Sequence, residues 1–262
     1  MQKEETNFEI YVPAQNNEHL QQVLERVNKS VELETLWEVS NKNALERWGI
    51  TDHGKVHVQI VANIGLKIAR MLYGDEVKMS SVEDFGLTND HAELIVVLAS
   101  LMHDIGMSIN RAHHEVYSLF LADKILAQVL DFLPERERII IKSEVLHSII
   151  SHGSKGKPST KEAGIVRMAD ALDMKSGRSR IPYEKGKFNI HHLSAIAIKD
   201  VQIKRGEKTP VLIEVTMNNS AGIFQIDQLL RDKLYGSGIE DYVSVKAFIE
   251  GEEKSLIKEY DI

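Results

Sequence analysis

The sequence contains no cysteine among its 262 residues. This absence excludes disulfide bonds and thiolate metal ligands, so any bound metal must be held by histidine and carboxylate side chains. Apolar runs are also short, and none approaches the roughly eighteen residues that a membrane-spanning helix needs. The N-terminus, Met1-Gln2-Lys3-Glu4-Glu5, lacks the apolar core of a signal peptide. We therefore expect a cytoplasmic protein with no membrane partner.

The chain also has no excess of positively charged residues. The chain has 32 lysine and arginine residues against 39 aspartate and glutamate residues, a formal net charge of −7. This balance gives no strong nucleic-acid footprint, because non-specific nucleic-acid binders carry extended basic surfaces. With 43% hydrophobic residues, a chain of this length can bury a sizeable core in one large domain, alone or with a smaller one.

The most informative stretch is an apolar run that ends in an adjacent histidine and aspartate, His103-Asp104, followed by Gly106. Residues 93–102 are almost all apolar, which predicts a helix buried on every side. A buried His-Asp pair is costly unless something pairs with it, and a divalent cation would satisfy both side chains. The alternative is a helix C-cap, with His103 bonding the last carbonyl groups and Gly106 in the left-handed conformation.

Another histidine lies on the apolar face of a predicted helix. Asp52 is a plausible N-cap for a helix that runs to Leu72, and His57 points inward with the apolar residues that follow it. Taken singly, an inward histidine is more often a satisfied core residue than a metal ligand. A further helix is expected over residues 113–130, with a core face formed by Val116, Leu119, Phe120, Leu126 and Val129.

The helix predicted from Glu135 to His152 carries two histidines. Five residues correspond to about 500° of helical rotation, so the side chains of His147 and His152 diverge by roughly 140°. His152 shares the apolar face with Val145 and Ile149, whereas His147 lies among polar residues. His152 is therefore the better ligand candidate.

The next predicted helix begins with Ser159-x-x-Glu162, the pattern of a capping box, and ends near Met174. It places Asp170 on a largely apolar surface, where an unpaired carboxylate is rare.

Residues 73–90, earlier in the chain, are expected to form a loop because turn residues cluster there.

The character of the chain changes after Pro182. Segments rich in β-branched residues predict strands, and one segment has helical spacing; in chain order they give strand, strand, helix and strand at residues 194–205, 209–217, 224–235 and 242–250. We expect a mainly α fold, with a helical domain at residues 1–185 and a small ββαβ subdomain at residues 186–262. That subdomain is expected to serve dimerisation or substrate framing, and a homodimer is the expected assembly.

The ordered set His57, His103-Asp104 and Asp170 resembles the HD-domain superfamily of metal-dependent phosphohydrolases. The likeness covers about residues 40–180, including the apolar approach to His-Asp-Ile-Gly and the Met-Ala-Asp-Ala-Leu-Asp stretch. It implies an HD-domain helical bundle in which these four residues are the primary metal ligands. It also implies one or two divalent cations per subunit, drawn from Mn, Fe, Co, Ni or Mg, which imidazole and carboxylate ligands suit better than a structural zinc.

Members of the family with a second metal add histidines between the His-Asp pair and the final aspartate. His114 matches one such position, and His152-Gly153 matches the second half of a His-His-Gly motif whose first position holds Ser151 here. The resemblance therefore implies His114 and His152 as further metal ligands. The pattern His114-Glu115-x-x-Ser118 also resembles the deoxynucleotide triphosphohydrolases, so His114 is either a ligand or a proton donor.

Two departures from the motifs of particular family branches narrow the range of expected substrates. The branch that cleaves cyclic dinucleotides has lysine after His-Asp-Ile-Gly together with a Gly-Tyr-Pro motif, whereas this chain has Met107 and no Gly-Tyr-Pro. Residues 169–180 also look like the HD part of an endoribonuclease family. That family's long N-terminal coiled coil and RNA-binding module are absent from this sequence.

The resemblance implies that a metal-activated hydroxide cleaves a phosphoester in a phosphorylated small molecule or nucleotide-like substrate. Asp104, His114 and Arg178 are the expected catalytic residues. The expected substrate-binding residues are cations and one histidine near the motifs, namely His53, Arg111, Lys155, Lys175 and Arg178. The alternatives are a deoxynucleotide triphosphohydrolase and a non-enzymatic assembly module stabilised by a metal.

Overall fold

The computed structural model describes residues 9–153, 156–174, 194 and 196–250. Its N-terminal part is a bundle of α-helices, numbered in chain order: α1 (Glu18–Asn28), α2 (Val31–Lys42), α3 (Lys55–Gly74), α4 (Ser80–Phe85), α5 (Asn89–Met102), α6 (His114–Val129), α7 (Glu135–Ser151) and α8 (Lys161–Leu172). A π-helical turn, Asn43–Trp48, extends α2, and a short 3₁₀ helix, Ile105–Ser108, follows α5. None of the described helices is both long and apolar enough to cross a membrane.

Helix α5 lies at the centre of the bundle and packs against α3, α7 and α8. Every residue from His91 to Met102 is buried, as its nearly unbroken apolar sequence predicts. Helix α2 is fastened to its end, since the Trp37 indole donates a 2.8 Å hydrogen bond to the carbonyl of Leu101. Each large apolar side chain buried here stabilises the fold by about 2 kcal/mol. The end of α5 is therefore a rigid base for the residues that follow it.

One charged group interrupts this apolar helix. Glu93 is buried, and its carboxylate accepts two hydrogen bonds from the Arg70 guanidinium, at 2.7 and 3.0 Å. The Tyr73 hydroxyl, at 2.5 Å, and the Asn17 side-chain amide, at 3.0 Å, donate to the same carboxylate. Burial alone would raise the pKa of Glu93, but these donors outweigh it and lower the pKa below its ordinary value. The network fastens α3 and the start of α1 to α5.

Arg70→Leu is expected to destabilise the protein by about 3 kcal/mol, because it leaves a buried carboxylate without its cation. In a chain of this size that corresponds to a melting temperature roughly 6–12 °C lower. Since the pKa of Glu93 is lower in the folded state than in the unfolded chain, this stabilisation is fully present above about pH 5.5 and is lost as the pH falls through the folded-state value. Thermal denaturation at pH 7 measures the loss of stability. At pH 4 the melting temperatures of the variant and the wild type are expected to differ by less.

Lys124→Leu is the matched control for this substitution. Lys124 pairs with Glu32 at 3.0 Å on the protein surface, and an exposed pair of this kind contributes less than about 1 kcal/mol. If the two substitutions lower the melting temperature equally at pH 7, the Glu93 network does not hold the helices together.

The C-terminal part forms a three-stranded sheet with a helical crossover. Strands β1 (Ile198–Lys204) and β2 (Val211–Met217) are antiparallel, and β3 (Val243–Ile249) lies parallel to β2, in the order β1-β2-β3. Between β2 and β3, a π-helical segment, Gln225–Leu230, continues into α9 (Arg231–Leu234). The prediction of a mainly α fold with a small ββαβ subdomain is confirmed. Its predicted boundary, between residues 185 and 186, lies outside the described residues.

The predicted start of α8 is wrong. Its N-cap is Thr160, whose side chain accepts a hydrogen bond from the first turn, and not Ser159. Glu162 does not close a capping box, because its buried carboxylate accepts hydrogen bonds from the amides of Ser80 and Ser81. These two residues begin α4, a helix in a stretch predicted to be a loop. The carboxylate makes this helix possible by satisfying amides that are unpaired at a helix N-terminus.

Helix α6 matches its predicted orientation in part, since Leu126 and Val129 are buried and Leu119 packs against the core. Val116 and Phe120 were predicted to face the core, but both are exposed, Phe120 by 73%. Ser118 faces inward instead and bonds the loop after α5. Residues two positions away on either side of Ser118 lie about 200° around the helix, so Val116 and Phe120 point outward.

Asp52, the predicted N-cap of α3, does not cap that helix. Its carboxylate accepts a hydrogen bond from the Gly54 amide at 2.8 Å, before the helix begins.

Candidate metal centre

Six side chains that the sequence singles out converge on one point inside the bundle. They come from successive helix ends: His57 from the first turn of α3, His103 and Asp104 from the residues after α5, His114 from the start of α6, His152 from the residue after α7, and Asp170 from the last turn of α8. Because α5 is buried and rigid, it fixes the position of the His-Asp pair. The surrounding helices bring the other four side chains to that pair.

The Asp104 carboxylate lies between two pairs of histidines. Its Oδ2 atom is 3.4 Å from Nε2 of His57 and 3.2 Å from Nε2 of His103. Its Oδ1 atom is 3.1 Å from Nε2 of His114 and 3.6 Å from Nε2 of His152. Each oxygen therefore faces one pair, which is the arrangement required of a carboxylate shared by two cations.

Asp170 completes the first of these two groups. Its Oδ1 atom lies 3.5 Å from Nε2 of His57 and 3.8 Å from Nε2 of His103, and those two nitrogens are 3.2 Å apart. In the second group, the Nε2 atoms of His114 and His152 are 3.3 Å apart. Two sets of described side chains have ligand atoms that all lie within 4.8 Å of one another, spacings that fit a divalent cation: His57, His103 and Asp170, and His103, Asp104 and His152.

The other ring nitrogen of three histidines is occupied by the backbone, which leaves Nε2 for the centre. The Nδ1 atoms of His103, His114 and His152 face the carbonyl oxygens of Ser100 at 2.8 Å, Arg111 at 3.0 Å and Ile149 at 2.6 Å, respectively. A ring that donates from Nδ1 to a carbonyl presents Nε2 to a metal. The His103 ring thus bonds a last carbonyl of α5, as one part of the C-cap alternative predicts, while its Nε2 atom faces the cluster.

Asp173 is a participant that the sequence did not reveal. Its Oδ2 atom lies 2.6 Å from Nδ1 of His57, and its side chain is buried directly after α8. A carboxylate behind a metal-binding imidazole fixes the orientation of the ring and raises its basicity. The available signal was the pair Asp170-x-x-Asp173, two acidic residues one helical turn apart. A helix-end charge explained the second residue of this pair equally well.

The loop after α5 is shaped by Gly106. A Cβ atom at this position would collide with the carbonyl of His114 and the amide of Ser118, so glycine is needed for α6 to begin this close. Ser118 secures the contact, since its hydroxyl donates to the carbonyl of His103 at 2.7 Å and accepts from the Gly106 amide at 2.8 Å. Gly106 does not have the positive φ expected of a helix C-cap. Its role is to allow close approach.

Burial and mutual contact set the charge of the cluster. Burial alone would raise the pKa of Asp104 and Asp170, but neighbouring cationic groups hold both pKa values well below the ordinary range. Against the effect of burial, the same carboxylates raise the pKa of His103 to about 10. Burial lowers the pKa of His152. The carboxylates are therefore ionised at neutral pH, and a cation that binds Nε2 of His103 must displace a proton.

Comparison with known proteins agrees with this geometry. The family model of the HD domain matches residues 55–175, a range that contains all six converging side chains. An uncharacterized protein of Methanocaldococcus jannaschii is 39% identical over 241 residues, which are 92% of this chain and 93% of that protein. Through residues 55–175, the chain belongs to the HD-domain superfamily of metal-dependent phosphohydrolases.

Two other relatives of this HD-domain chain carry the name ribonuclease Y. They come from Acholeplasma laidlawii and onion yellows phytoplasma, and each is 25% identical over 228 residues. The aligned region covers 82% and 80% of this chain, respectively. The chain spans 40% of the length of each ribonuclease Y.

The residues that we predicted to bind substrate are not among the six converging side chains of the HD domain. The His53 ring packs against that of His57, with ring centroids 5.6 Å apart. The Arg111 side chain is exposed, and the carbonyl of the same residue orients His114. Three further residues lie outside the described part of the chain, so their assigned roles stay predictions: Lys155, Lys175 and Arg178.

The HD centre is accessible from the side of His114 and Asp170. The side chains of His57 and His103 are fully buried. Those of His114 and Asp170 are 20% and 16% exposed. Glu115 lies on the same side, with its carboxylate 3.5 Å from Nδ1 of His114. Within the described residues, the partly exposed members of the cluster are therefore His114 and Asp170.

Proposed function

We propose that this HD-domain protein is a phosphodiesterase that acts on a nucleotide-like substrate at a centre of two divalent cations. The observation that carries the proposal is the division of the Asp104 carboxylate, whose oxygens face separate histidine pairs. One cation would be held by His57, His103, Asp104 and Asp170, and the other by Asp104, His114 and His152. A structural site closes four protein ligands around its ion. The second group has three, which leaves a position for water or substrate.

The side chains that hold the cations are organised before substrate arrives. Divalent cations at such a centre lower the pKa of a bound water toward neutrality and neutralise phosphoryl oxygens. The chain supplies the orientation, because Asp173 and the backbone carbonyls fix the imidazole rings.

A ligand role for His114 is favoured over a free proton donor. Its Nε2 atom faces Oδ1 of Asp104 at 3.1 Å, and its Nδ1 atom faces the Arg111 carbonyl at 3.0 Å. Both ring nitrogens are therefore engaged. Ser118, the last residue of the pattern shared with the triphosphohydrolases, is buried, and its hydroxyl bonds the loop after α5.

A cleft that reaches the centre at His57, and at Asp173 behind it, supports a nucleotide-like substrate. Its volume is about 750 Å³, and it lies between α3, the end of α8 and strand β1. Its lining consists of six apolar side chains, the cations Lys67 and Lys204, the amides of Asn63 and Gln202, and the side chains of Asp52, His57 and Asp173. This mixture is typical of small-molecule sites of that volume. Because β1 forms one wall, the cleft also supports substrate framing by the C-terminal subdomain.

The distant relatives support the choice of bond. Two of them are named ribonuclease Y, and a ribonuclease cleaves phosphodiester linkages. At 25% identity, we carry over the type of bond and not the RNA substrate.

Hydrolysis by the full chain tests the proposal. The protein is stripped of metal with a chelator, reloaded with Mn²⁺, Fe²⁺, Co²⁺, Ni²⁺ or Mg²⁺, and assayed with bis-p-nitrophenyl phosphate, a dinucleotide and the monoester p-nitrophenyl phosphate. We expect metal-dependent cleavage of both diesters, slower cleavage of the monoester, and loss of activity in His103→Ala with its helical circular dichroism intact. No hydrolysis with any metal would contradict the proposal. Release of tripolyphosphate from deoxynucleoside triphosphates, without diester cleavage, would replace it with the triphosphohydrolase alternative.

A further inference from the structure

The C-terminal subdomain brings a cation to the edge of the HD centre. Lys233, in α9, extends its ammonium to 2.5 Å from Oδ2 of Asp170. The other oxygen of that carboxylate, Oδ1, faces Nε2 of His57 and of His103. Asp170 thus presents one oxygen to the histidines and the other to the lysine. The two oxygens serve different partners, so the ammonium can stay in place when the histidine side is occupied.

We propose that Lys233 binds a phosphate group of the substrate, so that the C-terminal subdomain completes the active site. The inference rests on the proposed function and adds to it a residue that recognises the anionic group. An ammonium is a compact point charge with rotatable donors, suited to a phosphoryl oxygen approaching from a range of directions. The required ligand chemistry is a phosphate monoester or diester group.

The backbone that carries Lys233 is held by a buried arginine. Arg167, one turn before Asp170 on α8, donates from Nε to the carbonyl of Lys233 at 3.1 Å and from Nη2 to the carbonyl of Asp232 at 3.2 Å. Its Nη1 atom donates to the carbonyl of Gly156 at 2.8 Å, in the loop after α7. Burying a guanidinium is costly unless its donors are satisfied. Here those donors fix the position of α9 against α8.

Close packing against α8 reinforces this attachment. A Cβ atom on Gly164 would collide with the carbonyl of Ser237, so the two backbones are in direct contact. Gly164, Arg167 and Asp170 are spaced three residues apart, so consecutive members are neighbours on the helix surface, each offset by about 60° from the one before. The subdomain docks on α8 at these three successive points. Lys233 therefore reaches the centre from a fixed backbone.

The ammonium of Lys233 has donors left for a ligand. A lysine carries three N–H donors, and within the described residues its recorded partner is Asp170. Its side chain is 17% exposed, close to the values for Asp170 and His114. These three side chains are partly open to solvent, while the rest of the cluster is buried. A phosphate entering from this side meets the ammonium and can form charge-assisted hydrogen bonds with it.

A lysine that served only as the counter-ion of Asp170 would behave differently. Its charge would compete with a metal ion for the same carboxylate, so its removal would tighten metal binding. Phosphate binding would then be unchanged, because the ammonium would never contact the substrate. Measurements of metal affinity and phosphate affinity on the same variants therefore separate the two roles.

The experiment compares the wild type with Lys233→Met and Lys233→Arg, and uses Lys199→Met as the matched control. Lys199 lies in the same subdomain, on β1, and pairs with Glu250 on the surface. Titration calorimetry measures Mn²⁺ binding to the metal-free chain and adenosine monophosphate binding to the Mn²⁺-loaded chain. We expect Lys233→Met to weaken nucleotide binding about tenfold or more and to raise KM, with partial recovery in Lys233→Arg. Lys199→Met is expected to match the wild type.

Unchanged nucleotide binding in Lys233→Met, above all with tighter Mn²⁺ binding, would overturn the inference in favour of the counter-ion role. Neither titration requires turnover, so both test Lys233 even if the wild type hydrolyses none of the phosphoesters. In that case weakened nucleotide binding would uphold the role of Lys233 while the proposed function fails.

Discussion

Asp104→Asn is expected to lower kcat/KM for a phosphodiester about a thousandfold, because it removes the charge shared by the two histidine pairs. An amide preserves the shape of the side chain but has one oxygen and an NH₂ group, which does not bind a cation. A loss of about 4 kcal/mol in transition-state charge stabilisation corresponds to roughly three powers of ten in rate. Steady-state kinetics with saturating Mn²⁺ measures the effect.

Metal content distinguishes this effect from a general loss of structure. Equilibrium dialysis followed by elemental analysis is expected to give about two equivalents of Mn²⁺ in the wild type and about one or fewer in Asp104→Asn. The control is Asp123→Asn, since Asp123 is the exposed partner of Lys142 on α6 and α7. Its neutralisation should change neither metal content nor rate. Wild-type metal content and turnover in Asp104→Asn would contradict the role assigned to this carboxylate.

The second large effect concerns the residue behind His57. Asp173→Ala removes the carboxylate that lies 2.6 Å from Nδ1 of that ring. Mn²⁺ affinity is expected to fall about 10- to 100-fold, the range typical when the partner of a metal-binding histidine is lost. Because His57 remains, excess Mn²⁺ is expected to restore most of kcat. Titration calorimetry gives the affinity, and kinetics over a range of Mn²⁺ concentrations gives the recovery.

Two further variants give the smallest and the largest effects with which Asp173→Ala is compared. Asp75→Ala is the control, since Asp75 follows the opposite end of α3 and pairs with Arg205 on the surface. Its metal affinity should equal that of the wild type. His57→Ala sets the other limit, because excess cation cannot replace a missing ligand. If Asp173→Ala binds Mn²⁺ as tightly as the wild type, the orientation of His57 does not depend on this carboxylate.

The helices that carry the centre were predictable because their apolar spacing reports which face is buried. Helical rotation alone distinguished His152 from His147 on α7. The structure buries His152 in the cluster, whereas Nε2 of His147 accepts a hydrogen bond from the Ser159 amide and lies 2.9 Å from the Ser159 hydroxyl at the edge of the bundle. Periodicity succeeds here because burial of the apolar face fixes the rotation of the helix.

Periodicity failed where hydrogen bonds between elements decide the structure. Phe120 is apolar yet exposed, because Ser118 turns its own face of α6 toward the loop after α5. Glu162 fits a capping box by spacing, but its carboxylate is used by the start of α4. In both cases the deciding partner is distant in sequence. A local sequence pattern contains no information about such a distant partner.

The same distinction applies to the candidate site. The ligands proposed for the centre occur in short motifs at helix ends, where both burial and chemistry leave a signal. Lys233 lies 63 residues from Asp170 along the chain, in a short helix where a lysine is normally solvated. Its position depends on the docking of α9 against Arg167. That docking became visible only in the folded structure.

Anomalous diffraction from crystals grown with Mn²⁺, measured at the manganese absorption edge, tests most directly the claim that Asp104 is shared between two cations. We expect two anomalous peaks, one beside each histidine pair, with the Asp104 carboxylate between them. A single peak confined to the side of His57 and His103 would contradict the shared role. The absence of any peak in the cluster would contradict the metal centre itself.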